Sequence, residues 1–390
     1  MGKIASIRRM QFEGWEPPAL YSAALTADRA ALRRLIAGGR VASVHDQIDS
    51  AITELFDIEY PEQKDTKTPA QLAKYAAHFG KDLDEYGVWA YQPWDKRLVH
   101  FPPATDLHRL RTSRNRNLVT AGEQAKLYGA TVCVIGMSVG SNAVEALVGG
   151  GIGGKLVLVD MDHLEPSNLN RIRAPYHHVG LHKVDAIARK ISEIDPYIKQ
   201  AHYREGLNEA TLNEIITNHR PDVLIDEMDD VRMKLRLRLA ARRAGIPVIM
   251  AADDGDGILM DIERYDLTPD APLFHGLVPQ DVIDRLLSGT PIPRPELGVL
   301  IGKYFVGFEN TPLRMFQSLR EVGRTLPSWP QLGGAAAMAG VVLAYAAKRI
   351  IAGQPLNTGR HLITPDDKLN PEINSEEYTS QLAAIIKALS

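Results

Sequence analysis

The stretch ATVCVIGMSVGSNAVEALVGGGIGGKLVLVDMD, residues 130–162, gathers groups suited to holding phosphate and sugar hydroxyls. Its residue order predicts a buried strand over 131–135, a tight turn Gly136-Met137-Ser138-Val139-Gly140, a helix over 141–149, and a second strand over 155–159 that ends in Asp160. Glycine lets the backbone approach a phosphate, and a helix N-terminus presents free N–H groups to negative charge. Asp160 stands where a ribose hydroxyl would be held. The fingerprint G-x-G-x-x-G is not met, because Ser138 and Ser141 occupy its second and third glycine positions. Two readings stay open: a nucleotide turn, or a ligand-free strand-to-helix turn whose loop Asp160 caps.

The next segment, VDMDHLEPSNLNRIRAPYHHVGLHKVDAIARKISEIDPYI, carries Asp160 and Asp162, then Ser167-Asn168-Leu169-Asn170-Arg171, Val179-Gly180 with Lys183, and Asp195-Pro196. In order, spacing and strand placement the chain resembles the ThiF/MoeB and ubiquitin-activating-enzyme-like adenylyltransferase superfamily. DVLIDEMDD (222–230) resembles that family's strand ending in Asp-Cys-Thr-Asp-Asn, which aligns Asp229 with its magnesium-facing acid. RTSRNR (111–116) resembles the Arg-Tyr-x-Arg-Gln stretch, aligning Arg114 with the arginine that related dimers donate to the partner's ATP. The resemblance covers about residues 109–363.

It implies ATP-dependent adenylation of a carboxylate, with pyrophosphate release. Such a reaction asks the protein to position a triphosphate and neutralise its charge. Arg171, Lys183 and Arg114 would supply cations, and Asp229 would hold Mg²⁺, a hard ion suited to oxygen ligands. Gly136, Ser138, Gly140, Asp160, Asp162 and Asn168 would complete the nucleotide site. The resemblance also implies a homodimer. Alternatives remain: Asp229 as N-cap of a helix over 231–244, Arg171 and Lys183 as solvated charges, and Arg109, Arg111 or Arg116 in place of Arg114. Ile172 replaces the family's glutamine after the arginine. One cysteine, Cys133, cannot build the relatives' four-cysteine site, so no zinc is expected, and residues 266–330 contain no cysteine to carry a thioester.

The elements that must position these groups read as an α/β fold. It is a Rossmann-like, mostly parallel sheet with flanking helices, plus a small N-terminal α+β domain. An accessory domain is expected over 1–108 and the adenylation domain over 109–390. Helices are expected over 27–37, 44–56 and 69–78, followed by an aromatic hairpin around Pro93-Trp94-Asp95-Lys96. Its Trp89, Tyr91 and Trp94 would grip a peptide, or else pack against the sheet domain or a dimer partner. Residues 266–330, proline- and glycine-rich without steady period, suggest an excursion such as a lid. The apolar stretch Gly333–Ala347 reads as a buried helix, being too short to span a bilayer, within a helix expected near 334–352. AADDGDGILMDIE (251–263) reads as a strand-to-strand turn near nucleotide or substrate. VRMKLRLRLAARRAG (231–245) reads as a helix with a solvated basic face. His177, His178 and His182 lack partners at ligand spacing.

With 45 Lys+Arg against 48 Asp+Glu, the formal charge of −3 offers no global field for nucleic acid or an anionic membrane. The N-terminus lacks the apolar run of a signal peptide, so a cytoplasmic location is expected. The expected substrate is the carboxylate of a peptide, as in maturation of ribosomally made peptide products, or of a small metabolite. Competing readings are a tRNA-nucleoside-modifying cyclase of the same family and a non-catalytic nucleotide- or NAD-binding scaffold.

Overall fold

The computed structural model describes residues 15–319 and 321–389. They form two compact units. The first comprises the described residues up to Gln124 with Gly149–Gly151 and Ala188–Ile198; the second is the remainder.

In the first unit the order is β1 (Ala19–Tyr21), α1 (Thr26–Ala37), β2 (Ser43–His45), α2 (Ile48–Glu59), α3 (Pro69–Ala76), β3 (Val88–Gln92), β4 (Arg97–Phe101) and α4 (Ala104–Thr112). The strands make a sheet in the order β1-β3-β4-β2. The β3–β4 hairpin falls on the aromatic runs, with its turn at Pro93–Lys96. The helix expected over 44–56 starts later. Val44 and His45 pair with Leu98 and Val99 as β2, and the Asp46 carboxylate accepts from the Ile48 amide at 3.1 Å, opening α2. From there Ile48, Ile52, Leu55 and Phe56 line one buried face at helical spacing.

Of the hairpin aromatics Tyr91 is buried, while Trp89 and Trp94 are half-buried with partners inside the first unit. Tyr91 is buried beside Leu32, Leu35 and Leu98, and its hydroxyl donates to the Arg40 carbonyl at 3.1 Å. Trp89 stacks on His100, with ring centroids 4.2 Å apart. The Trp94 indole donates to Glu193 Oε1 at 2.9 Å, and the Arg189 guanidinium lies over its ring. Aromatic area of this size is stabilising mainly when it is removed from water, and this unit's small core uses it so.

The second unit takes α5 (Ala121–Gly129) from Ala125 on, β5 (Thr131–Ile135), α6 (Gly140–Gly149) to Val148, β6 (Lys155–Val159), α7 (Lys183–Ile194) to Ile187, β7 (Lys199–Tyr203), α8 (Glu209–Glu214), β8 (Val223–Asp226), α9 (Val231–Ala244), β9 (Val248–Asp254) and β10 (Gly257–Glu263). It continues with α10 (Gln280–Leu287), α11 (Arg294–Leu300), α12 (Leu313–Leu319), α13 (Gly333–Ala352), β11 (Gly359–Ile363), α14 (Asp366–Leu369) and α15 (Glu376–Leu389). Its seven-stranded sheet has the order β11-β10-β9-β8-β5-β6-β7. β5 to β9 are parallel; β10 and β11 return antiparallel. The all-apolar runs VCVI and LVLV are buried, as strands covered on both faces require. The mixed α/β fold is therefore the one expected.

Residues 266–330 depart from expectation. Leu273, Phe274, Val278, Val282, Ile283, Leu286 and Phe305 pack with Leu235, Val248 and Met250 in one core cluster. The α-helices there are seven or eight residues long, too few for a 3.6-residue period to show in sequence, and α11 runs on into a wider helical turn, Ile301–Val306. α13 lies against β8, β9 and β10. It is long and apolar enough to cross a membrane, yet more than half of that apolar window is buried inside the protein.

Candidate functional site

The carboxyl ends of β5, β6, β8 and β9 converge on the turn after β5. Gly136 has φ 91°, and a Cβ there would overlap the Glu227 carbonyl, so only glycine fits. The Gly136 amide donates to the Val159 carbonyl at 2.8 Å, and the Glu227 amide donates to the Ile135 carbonyl at 2.7 Å. The turn is thereby tied to β6 on one side and to the loop after β8 on the other. Asp160 is buried; its Oδ2 accepts from the Met137 amide at 2.6 Å and its Oδ1 from the Asp162 amide at 2.7 Å. The loop-capping alternative for Asp160 is thus realised in full. α6 then opens at Gly140, with the Asn142 amide of its first turn donating to the Val139 carbonyl at 2.9 Å, and a helix N-terminus favours negative charge.

The two serines that break the glycine fingerprint both bond within this region. Ser141 Oγ donates to the Ser138 carbonyl at 2.9 Å, tightening the turn. Ser138 Oγ accepts from Arg171 Nε at 2.8 Å. Arg171 follows a short 3₁₀ turn, Pro166–Asn170, whose entry is closed by a reciprocal Glu165–Asn168 capping box. Asn168 is buried there and its Oδ1 accepts from the Glu165 amide at 3.1 Å. Asn142 Nδ2 donates to the Arg171 carbonyl at 2.9 Å, and Asn170 Nδ2 to the Gln331 carbonyl at 2.9 Å. Ile172, which replaces the family's glutamine, is buried.

Lys183 opens α7. Its Nζ donates to Asp162 Oδ2 at 2.8 Å, the lysine being buried and Asp162 exposed. A chain of bonds thus runs from Lys183 through Asp162 and Asp160 to the turn amide of Met137. Such a lysine can exchange an exposed carboxylate for another anion with little rearrangement.

The loop after β8 brings acids. Asp226 is fully buried; burial works to raise its pKa, but the charges of Lys234 (3.0 Å) and Arg238 (2.5 Å) outweigh it and hold the carboxyl below its usual range. Arg238, on the helix read as a solvated basic face, is fully buried, pairs also with Glu263 at 2.5 Å and lies over Phe274. That correction has a simple cause: α9 packs its charged inner face against acids at two strand ends. The cap of α9 is Asp230, whose Oδ1 accepts from the Arg232 amide at 2.9 Å and the Met233 amide at 3.2 Å. Asp229 is therefore not the cap, and it is exposed. Withdrawal from water pushes the Glu227 carboxyl up, although it accepts from the Ala251 amide at 2.8 Å.

AADDGDGILMDIE forms the expected strand-to-strand turn. Burial pushes Asp253 up to about 6 against the opposing charge of Arg171, and Asp254 up to about 7. Asp253 Oδ1 and Asp254 Oδ2 are shielded from water without a hydrogen-bond partner. Asp253 and Gln331 had no signal in the sequence beyond a cluster of acids and a proline-flanked glutamine.

Arg114 belongs to the first unit, exposed on a 3₁₀ turn, Ser113–Asn115. Of the competing arginines, Arg109 pairs with Asp106 and Glu59, and Arg111 with Asp195 at 2.5 Å. Cys133 is wholly buried in β5, and burial pushes its thiol up. Arg171, Lys183, Asp160, Asp162, Asn168, Ser138 and the two turn glycines thus come together, with Asp229 two residues beyond the loop carbonyl that Gly136 abuts.

These residues lie within residues 112–381, which match the model of the ThiF family. The chain is 36% identical over 278 residues to the uncharacterized protein MT1398 of Mycobacterium tuberculosis, covering 71% of this chain but 38% of that protein. It is 34% identical over 190 residues to the tRNA threonylcarbamoyladenosine dehydratase of Escherichia coli, covering 46% of this chain and 69% of the relative. Among solved structures, E. coli MccB with ATP has 15% identity and a TM-score of 0.47, covering 79% of each chain. With a family match over more than half its length, in a range that includes the residues of the turn, the chain belongs to the ThiF family.

Proposed function

We propose that this protein binds ATP with Mg²⁺ at the β5 turn and adenylates a substrate carboxylate. The observation that carries this reading is the bond of Arg171 to Ser138 of the turn, which fixes a guanidinium beside the N-terminus of α6. With Nε held by Ser138 and Nη1 by Asn170 Oδ1 and the Ser167 carbonyl, Nη2 would be the guanidinium nitrogen that meets a phosphate oxygen. Lys183 would release Asp162 for the triphosphate, and Asp160 and Asn168 hold the turn and the Arg171 segment in register. Asp229, exposed and free of the capping role, would hold Mg²⁺, which when bound neutralises charge on the phosphate oxygens.

The carboxylate oxygen then attacks the α-phosphorus, the bond to the bridging oxygen breaks, and pyrophosphate leaves with that electron pair. Arg114, exposed, is assigned to the nucleotide of a second copy in a homodimer. The absence of cysteine from 266–330 points away from a thioester and toward transfer to a nucleophile on the substrate or a second molecule. A peptide or small-metabolite carboxylate fits. ATP–pyrophosphate exchange with a panel of peptides and acids tests this; exchange lost in Asp229→Ala supports it, and exchange equal in that variant counts against it.

A second reading, action on a tRNA nucleoside, is favoured by the identity to the E. coli tRNA threonylcarbamoyladenosine dehydratase. Retention of bulk tRNA at physiological salt would support it, since non-specific contacts weaken steeply with salt.

A further inference from the structure

The proposed reaction leaves the acyl acceptor unnamed, and the structure holds an acid that the adenylation step does not use. Asp253 lies near the end of β9, beside β8, whose following loop carries Glu227 and Asp229. The Ala251 amide, two residues before it, donates to Glu227 Oε1 at 2.8 Å, joining β9 to that loop. Asp253 Oδ2 is 3.5 Å from Gln331 Nε2, and the Gln331 carbonyl takes the Asn170 amide at 2.9 Å. Asp253 is thus linked to the Ser167–Arg171 segment on one side and to the acid loop on the other.

Arg171 is the charge that most favours ionised Asp253, yet its bonds go elsewhere: Nε to Ser138, and Nη1 to Asn170 Oδ1 at 3.0 Å and the Ser167 carbonyl at 3.3 Å. Asp253 Oδ1 is left shielded from water with no donor. A buried acceptor without a donor costs free energy, which a donating group brought to it recovers.

We propose that Asp253 receives the acyl-accepting nucleophile as an amine, holding its ammonium form and taking a proton from it. This rests on the adenylation reading. An ammonium brings three N–H donors and a positive charge to a carboxylate otherwise faced by Arg171 and by the neighbouring acid Glu227. One N–H proton passes to Asp253. The freed nitrogen lone pair forms the C–N bond to the acyl carbon, the C–O bond to the adenylate breaks, and its electron pair leaves on AMP. The second proton leaves the adduct for water, giving an amide. A carboxyl held up at about 6 accepts a proton at neutral pH while staying largely ionised beforehand.

The test uses the full chain labelled with ¹³C at aspartate Cγ, the Asp253 resonance being assigned by its loss in Asp253→Asn. Methylammonium is titrated with tetramethylammonium, which has no N–H, as the control, with and without ATP–Mg²⁺. The expected result is a saturable shift of the Asp253 resonance with methylammonium alone. Saturation transfer to its methyl protons should weaken at least about tenfold in Asp253→Asn, the scale of one lost charge-assisted bond, and survive in Asp254→Asn. An unmoved Asp253 resonance, or a response equal to that of tetramethylammonium, overturns the proposal. Should Asp253→Asn fold poorly, Asp253→Glu, which also removes the aspartate Cγ resonance, supplies the assignment and the wild-type titration decides. ATP–Mg²⁺ binding is read separately, so failure of nucleotide to bind removes the adenylation reading while amine capture at Asp253 is still decided.

Discussion

Ser138 Oγ accepts the Nε proton of Arg171 at 2.8 Å, across 33 residues of chain. One of the two serines that break the glycine fingerprint thus anchors the guanidinium proposed to meet ATP. Ser138→Ala should leave the fold intact and weaken ATP–Mg²⁺ binding by about fivefold, the equivalent of about 1 kcal/mol for one hydrogen bond. Titration calorimetry checks this, and an unchanged affinity would mean that Arg171 needs no such anchor.

Gly340 sits mid-helix in α13 where a Cβ would come within 2.5 Å of the Asn142 backbone in α6. The Asn142 side chain in turn holds the Arg171 carbonyl. Gly340→Ala should therefore cost about 1–3 kcal/mol by overpacking, despite the better helix propensity of alanine. Urea unfolding measures it, and a gain in stability would show that the two helices part easily.

Arg238 neutralises Asp226 and Glu263, all three withdrawn from water. In Arg238→Met, Lys234 still serves Asp226, but Glu263 keeps only the Tyr265 hydroxyl (2.6 Å) and the Phe274 amide (2.8 Å). Loss of one partner from a buried pair is expected to cost about 3–5 kcal/mol. The loss should shrink at low pH, where the carboxyls protonate. A midpoint of denaturation equal to that of the parent would refute the network's role.

Asp254 is buried with an orphan oxygen, and burial pushes it up to about 7. Its pKa is higher folded than unfolded, so the folded chain binds more protons between the two values. The stability it lends is complete below about 4, the ordinary carboxylate value, and is lost as pH rises toward 7. Asp254→Asn should therefore be more stable than the parent at pH 8, by at least about 1 kcal/mol, with the gap closing by pH 4. Thermal unfolding across that range reads the sign directly; a gap that widens on acidification would reverse the assignment.

Much of the second unit could be read from the residues in order. The β5 and β6 strands, the β5 turn and the α9 helix fall where apolar runs, glycines and helical spacing put them, because these signals are local in the chain. The Ser167–Arg171 and Val179–Lys183 motifs were legible for the same reason, being contiguous. The short helices of 266–330 were not, since seven or eight residues are too few for a helical period to repeat.

The chemistry of individual side chains was decided elsewhere. Nothing in the order of residues says that Arg238 of α9 is buried while Arg243 of the same helix is exposed, that Tyr91 fills a core, or that Asp230 rather than Asp229 caps α9. Ser138 meets Arg171, and Asp253 loses water without gaining a donor, only once β5, β9 and the 3₁₀ turn are assembled. Sequence alone determined which elements form and which family the chain joins, because backbone preference and apolar period are properties of neighbours along the chain. Tertiary structure alone decided which charges are paired, shielded or left with an open acceptor, because desolvation and hydrogen bonding depend on atoms brought together from distant parts of it.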